Sequence, residues 1–195
     1  AASDVYKRQA LAENQQQLLD AVAAVNPNVV VLLSAGAPVE TPWVGRCKAL
    51  VYGALGGQAG AGAAADILTG KLCPCGKLSQ TWAKAYDDTP AKANFGGEGR
   101  NVEYREGLYV GYRYYQTAGV KPAFPFGYGL SYTTFEYSGL KADETGVSLT
   151  VTNTGSAAGA EIVQLYVAKP DAKVFRPEQE LKGFAKVSLA PGESK

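Results

Sequence analysis

The sequence predicts an α/β layer followed by a truncated all-β sandwich. Three observations carry this reading. A helical stretch feeds a continuous apolar, β-branched run at residues 29–33. Helix and strand signals then alternate up to residue 82. After Phe135 the pattern changes to short segments of period two with no helix between them. A helix leading into an apolar strand belongs to an α/β layer, and short alternating strands at close spacing belong to a sandwich.

The elements follow in order. Residues 10–25 read as a helix, with Leu11, Leu18, Val22 and Val25 near one face and a polar run at 13–17 mainly elsewhere. Asn26-Pro27-Asn28 ends it, because a residue before proline avoids the helical region. Residues 29–33 are the first strand, read as buried and parallel. A short helical stretch follows at 43–48, then a strand at 49–52. Residues 59–68 form a helix stopped by Gly70. Residues 77–82 are assigned as a third strand. Residues 86–105 form a long loop broken by Thr89-Pro90, Gly96-Gly97 and Gly99. Residues 109–115 are aromatic and read as a short strand. Beyond the Pro- and Gly-rich stretch 122–132, strands are expected at 147–153, 161–168 and 181–189, with a turn at Asn153-Thr154-Gly155.

Composition narrows the function classes. Apolar residues make up 46% of the 195 and charged residues 19%, so a packed core is expected. The net charge is +1 and no basic run exceeds Lys7-Arg8, which excludes the clustered basic face that nucleic acid requires. No apolar stretch reaches the roughly 20 residues of a membrane-spanning helix. No His is present, which excludes Ser-His-Asp and Cys-His catalysis and His-ligated metal within these residues. Cys47, Cys73 and Cys75 are too few for a structural zinc site, so no metal is expected. Residues 1–9 read as a non-native leader: Asp4 to Gln9 matches the translation of a transposon end used in sequencing libraries. No signal-peptide pattern is present there, and the compartment, cytoplasmic or secreted, stays open.

From about Ala10 onward the chain resembles glycoside hydrolase family 3. The most specific strings are Tyr104-Arg105-Glu106-Gly107-Leu108-Tyr109-Val110-Gly111-Tyr112-Arg113-Tyr114-Tyr115 and Phe124-Pro125-Phe126-Gly127-Tyr128-Gly129-Leu130-Ser131-Tyr132. Asn26-Pro27-Asn28-Val29, Ala64-Ala65-Asp66-Ile67-Leu68-Thr69-Gly70 and Gly76-Lys77-Leu78 support them. The sequence departs from the family pattern at Cys73-Pro74-Cys75, where Asn-Pro-Ser is usual, and at Gly56 to Ala61, where Pro-Gly-Gln-Glu-Gly-Gly is usual.

The resemblance implies a fold and a chemistry. Residues 10–132 would be the C-terminal part of an α/β sandwich domain. Residues 133–195 would be the N-terminal part of a fibronectin type III-like domain. The parent would be an exo-acting β-glucosidase that cleaves terminal non-reducing β-linked sugars by a retaining two-carboxylate mechanism, without a cofactor. Its partners would be a β-glucoside or related oligosaccharide and the missing barrel domain, with neither nucleic acid nor membrane. The nucleophilic Asp belongs to that barrel and the acid/base Glu lies upstream of Ala10, so no catalytic residue is assigned here. The substrate-binding residues and the order of the parent's domains stay unassigned. A β-xylosidase of the same family, or a non-catalytic fibronectin-like or carbohydrate-associated module, is the alternative.

Glu98 sits on a loop that could reach a cleft. Glu103 and Glu106 flank Tyr104, and Glu106 is expected to pair with Arg105 or Arg113. Asp87-Asp88 before Thr89-Pro90 reads as turn chemistry. Trp43 and Trp82 could stack on a sugar. Tyr112, Tyr114, Phe124, Phe126 and Tyr128 are expected to pack where the two domains meet. Gly60-Ala61-Gly62 with Ala65 resembles a dinucleotide-binding turn, but lacks the strand-end acid about 20 residues on. These small residues are read instead as allowing close helix–sheet packing. An incomplete sandwich leaves open strand edges that template association. The isolated chain is therefore expected to sediment as aggregates; a stable monomer with one cooperative unfolding transition would contradict this.

Overall fold

The computed structural model describes residues 9–97 and 99–195. The chain divides into two compact units. The first holds residues up to Ala64 together with Ser79–Phe126 and Lys169–Glu178, and the second holds Ala65–Leu78, Gly127–Ala168 and Gln179–Lys195.

In the first unit, helix α1 covers Glu13–Val25. It begins three residues later than predicted, because Ala12 has an extended backbone. It ends as predicted at extended Asn26, ahead of Pro27. Its inward face is not the predicted one. Leu18, Val22 and Val25 are exposed, and the half-buried positions are Gln16, Leu19 and Ala23. Their spacing is also helical, so the sequence alone could not separate the two faces. Asp20 of α1 pairs with Arg46 in a short 3₁₀ turn, Val44–Arg46.

Strands β1 (Val30–Leu33) and β2 (Ala49–Tyr52) pair in parallel. β1 is not buried throughout, as its apolar run had implied. Val30 and Leu32 are 49% and 47% exposed, while Leu33 is 6% exposed. Exposure alternates along β1, with Val31 and Leu33 on the less exposed face. Helix α2 (Gly60–Leu68) follows, and the division between the units falls within it. None of its residues is buried, and a Cβ placed at Gly60 or Gly62 would meet nothing within 4 Å. The expected close helix–sheet packing at these small residues is therefore not formed here.

Residues 77–82 do not form the predicted third strand. Around Trp82 only an isolated antiparallel bridge to Phe124 forms, with Trp82 N–H donating to Phe124 O at 2.8 Å and Ala123 N–H to Trp82 O at 2.8 Å. Trp82 is 2% exposed and meets Tyr52 and Phe124 edge-on, with centroids 5.0 and 6.1 Å away. The ring, rather than a ladder, holds the segment in place. Trp43 (1% exposed) and Tyr115 complete this core with Leu33, Ala35 and Ala83.

The strand predicted within 109–115 is replaced by helix α3, Tyr112–Thr117. Gly111 adopts φ +56°, a conformation that penalises a side chain, and its carbonyl accepts the N–H groups of Tyr114 and Tyr115. The aromatic content suits a strand, but the turn that Gly111 permits starts a helix.

The second unit is β-rich. Strands β3 (Phe135–Asp143) and β4 (Gly146–Asn153) are antiparallel, with an irregularity between Ser138 and Lys141. Strands β5 (Gly159–Val167) and β6 (Glu180–Leu189) form a second antiparallel pair. β4, β5 and β6 match the expected strands to within two residues at each end. β3 had no clear signal, because its alternation slips at the bulge and nearly all its residues are exposed. Beyond β6 the chain returns along β4, where Val151 N–H donates to Lys195 O at 2.8 Å and Lys195 N–H to Val151 O at 3.0 Å.

Asn153, at the end of β4, is fully buried. Its Oδ1 accepts the Thr133 hydroxyl at 2.6 Å and the Gly155 N–H at 3.1 Å. Its Nδ2 donates to Ala157 O at 2.9 Å and Leu189 O at 3.1 Å. Removing this amide leaves several buried groups without partners, each costing about 1–3 kcal/mol. Asn153→Ala is expected to lower unfolding stability by about 2–4 kcal/mol in urea titrations; a loss under about 1 kcal/mol would show that water replaces the amide.

Candidate functional site

The first unit carries a cleft of about 520 Å³. Its walls come from the loop after β1, residues 79–83, the Thr89-Pro90 turn and the start of α3. Tyr112 and Phe126 form the aromatic side, with ring centroids 5.1 Å apart at 34°. The Arg113 guanidinium lies 5.8 Å from the Tyr112 ring centroid and steadies it from the helix. Gln9, Ser79, Gln80 and Thr81 supply amides and hydroxyls. Thr81 Oγ1 is shielded from solvent and has no hydrogen-bond partner. Among the described residues, none lining the cleft is charged, so these residues offer it neither a general acid nor a nucleophilic carboxylate.

Tyr115, which also lines the cleft, is 5% exposed. Burial, with the Asp88 carboxylate nearby, pushes its phenol up to about 12. Asp88 itself accepts the Ala85 N–H at 3.3 Å within a 3₁₀ turn, Tyr86–Asp88, and Asp87 pairs with Lys92 at 2.5 Å. The Asp87-Asp88 pair thus serves the turn.

The second unit holds a buried charged network that sequence reasoning missed. Lys77 Nζ lies 3.0 Å from Glu161 Oε1 and donates to Gly129 O at 2.8 Å. Burial, the Glu161 charge and a hydrogen bond to Glu161 push the Tyr137 phenol up to about 12. Lys77 and Glu161 are 84 positions apart, and neither has a local sequence signal. Cys73 Sγ lies 3.1 Å from Ser131 Oγ in the same unit. Cys47, Cys73 and Cys75 are all free thiols, and burial pushes the Cys47 thiol up. Among the described residues, no three His, Cys, Asp or Glu side chains cluster as metal ligands.

The remaining candidates fall elsewhere. Glu98 lies outside the described residues. Glu103 is exposed and takes Arg105 as its partner, so the pairing of Arg105 with Glu106 is not formed. Glu106 is half-buried, with Oε2 shielded and lacking a hydrogen bond. Trp43 and Trp82 are core residues, closed to a sugar ring. Phe124 meets Trp82, Tyr112 meets Phe126 and Tyr114 meets Tyr115, all within the first unit; the Tyr128 carbonyl accepts the Leu78 N–H in the second. The carboxyls with displaced titration, Asp143 and Glu193, are both held low, by the hydroxyl and N–H of Thr145 and by the Ala190 N–H respectively. A glycosidic general acid needs the opposite shift.

Residues 2–132 match the model of the glycosyl hydrolase family 3 C-terminal domain, and residues 161–195 match that of a fibronectin type III-like domain. The chain belongs to glycosyl hydrolase family 3. Among family 3 relatives, the thermostable β-glucosidase B of Acetivibrio thermocellus is 52% identical over 94% of this chain and 25% of its own length. The exo-α-(1→6)-L-arabinopyranosidase of Bifidobacterium breve is 48% identical over 93% of this chain and 25% of its own. The crystal structure of the family 3 β-glucosidase of Bifidobacterium adolescentis superposes with a TM-score of 0.94 at 47% identity, covering 96% of this chain and 29% of that one. This family 3 chain therefore spans about a quarter of the length of the curated relatives it matches. Its α/β part and its β-rich part fit a partial α/β sandwich and a fibronectin type III-like sandwich.

The raised Tyr115 phenol has a pH consequence. An unfolded tyrosine ionises near pH 10 and the folded Tyr115 near 12. The folded state holds this proton longer, so the stabilisation is complete below pH 10 and is lost as pH rises through 12. Tyr115→Phe is expected to flatten the fall in stability across that window and to remove a late-ionising step from tyrosinate absorbance. An unchanged absorbance titration would show that Tyr115 ionises with the exposed tyrosines.

Proposed function

We propose that this chain is part of an exo-acting family 3 glycosidase of the β-glucosidase type, with both catalytic carboxylates outside these residues. Residues 10–132 supply the later part of the α/β sandwich domain and residues 133–195 the start of the fibronectin type III-like domain. One observation carries the reading: the backbone follows a family 3 β-glucosidase along 96% of this chain while filling only 29% of that structure. The parent removes terminal non-reducing β-linked sugars, β-D-glucose foremost, by a two-step retaining mechanism without a cofactor. That mechanism needs two carboxyls roughly 5–5.5 Å apart across the scissile bond, one of them protonated. Several acidic groups are engaged otherwise: Glu161 with Lys77, Glu40 with the Tyr86 N–H at 2.7 Å, Glu103 with Arg105 and Asp87 with Lys92. The near-equal identity to a β-glucosidase and to an arabinopyranosidase supports the reading that sugar choice rests on the remainder of the parent.

The test is hydrolysis of a panel of aryl β-glycosides by the purified chain and by the full-length parent. The parent is expected to prefer the β-glucoside, with no turnover by the chain alone. Turnover by the chain would place a carboxylate pair within it, and Glu98, Glu103 and Glu106 would then be mutated first. A parent inactive on every glycoside would overturn the reading and favour a non-catalytic module.

A further inference from the structure

We infer that residues 65–78 are a strap on which the fold of the β-rich unit depends, and that Lys77 and Glu161 are the lock that fastens it. The family models divide the chain differently. Lys77 falls within the C-terminal domain, residues 2–132, and Glu161 is the first residue of the fibronectin type III-like match, 161–195. In the structure both belong to one compact unit. The strap is held there by main chain first. Leu78 N–H donates to Tyr128 O at 2.8 Å, and Gly127 N–H donates back to Leu78 O at 2.7 Å. Gln164 Nε2 of β5 donates to Gly127 O at 3.1 Å, so the same turn is tied to that strand. Close approach adds to this. A Cβ at Gly129 would collide with Gly76 O, and a Cβ at Gly159, the first residue of β5, would lie 3.3 Å from Cys73 Sγ. The Tyr132 hydroxyl donates to Ile67 O of α2 at 2.9 Å.

The lock joins the strap to β5. Lys77 Nζ and Glu161 Oε1 are 3.0 Å apart, with side chains only 15% and 11% exposed. An exposed pair would add little. A pair this far from water is different, because breaking it strands a charge without compensation. The need for a strap follows from the sheets. The unit's strands form two separate hairpins, and a two-stranded hairpin is marginal without further packing. A fibronectin-like module cut at residue 133 would lack the strap and open at β5.

The test is hydrogen exchange on the full-length parent, read by mass spectrometry. Peptides covering Leu78 and Gly127 report on the strap, and peptides within residues 159–167 report on β5. Lys77→Met is expected to speed exchange in all of them by roughly tenfold or more, with α1 unchanged. Lys77→Met combined with Glu161→Gln removes the stranded charge and is expected to recover most of the protection. Unchanged exchange in the single variant would make the ion pair a bystander and overturn the inference. Faster exchange confined to residues 65–78, with β5 unmoved, would make the stretch a peripheral appendage and overturn it too. Should the single variant unfold throughout, the double variant decides: recovery upholds the lock, and an equal loss overturns it. These readouts do not depend on the parent's activity, so hydrolysis of aryl glycosides bears on the glycosidase reading alone.

Discussion

Asn153 commits both ends of its side chain to buried hydrogen bonds beyond its own strand. It receives Thr133 and Gly155 on one side and gives to Ala157 and Leu189 on the other. Three segments of the second unit, around Thr133, in the turn 155–157 and at the end of β6, meet at one amide with no access to water. Buried peptide groups must find partners, and in a unit of two separate hairpins the sheets cannot supply them all. The same constraint explains the return of residues 193–195 along β4, which pairs groups on the strand's second edge. It also explains the placement of Gly127 at φ +77°, where a Cβ would lie 2.0 Å from Gln164 Oε1 and block the hydrogen bond from Gln164 Nε2 to Gly127 O.

The first unit is organised by rings instead of by amides. Trp82 closes off a segment that forms a single bridge, and Trp43 and Tyr115 fill the space around it. Large buried aromatics each remove about 150–250 Å² from water, so a few of them hold irregular chain that a ladder does not. This has a functional consequence. The two tryptophans are unavailable for sugar stacking, and Tyr112, Tyr115 and Phe126 line the cleft. Ionic groups are likewise engaged in structure: the Lys77–Glu161 pair is nearly buried, and losing one partner would leave an uncompensated charge.

Much of this was legible in the sequence because it is local. Asn26 before Pro27 ended α1 where expected, and β4, β5 and β6 announced themselves by alternation. The family strings around Gly111 and Gly127 fixed the family. The departures share a cause. Residues 77–82 have strand composition but no neighbouring strand, and residues 109–115 have aromatic content but a glycine that starts a helix. Which face of α1 turns inward depends on what it meets, and two helical stripes were open to it. The network of Lys77, Glu161 and Tyr137 joins residues far apart in the chain, where no window of sequence could show it.

The sequence by itself determined the family, the succession of an α/β part and a β part, and the exclusion of His-based chemistry, since each follows from residue identity, order and spacing. Only the tertiary structure decided which acids are engaged in turns and ion pairs and which aromatics are closed off in the core. Those outcomes depend on which distant residues share a volume and on how much water remains between them, and these quantities arise only when the chain has folded.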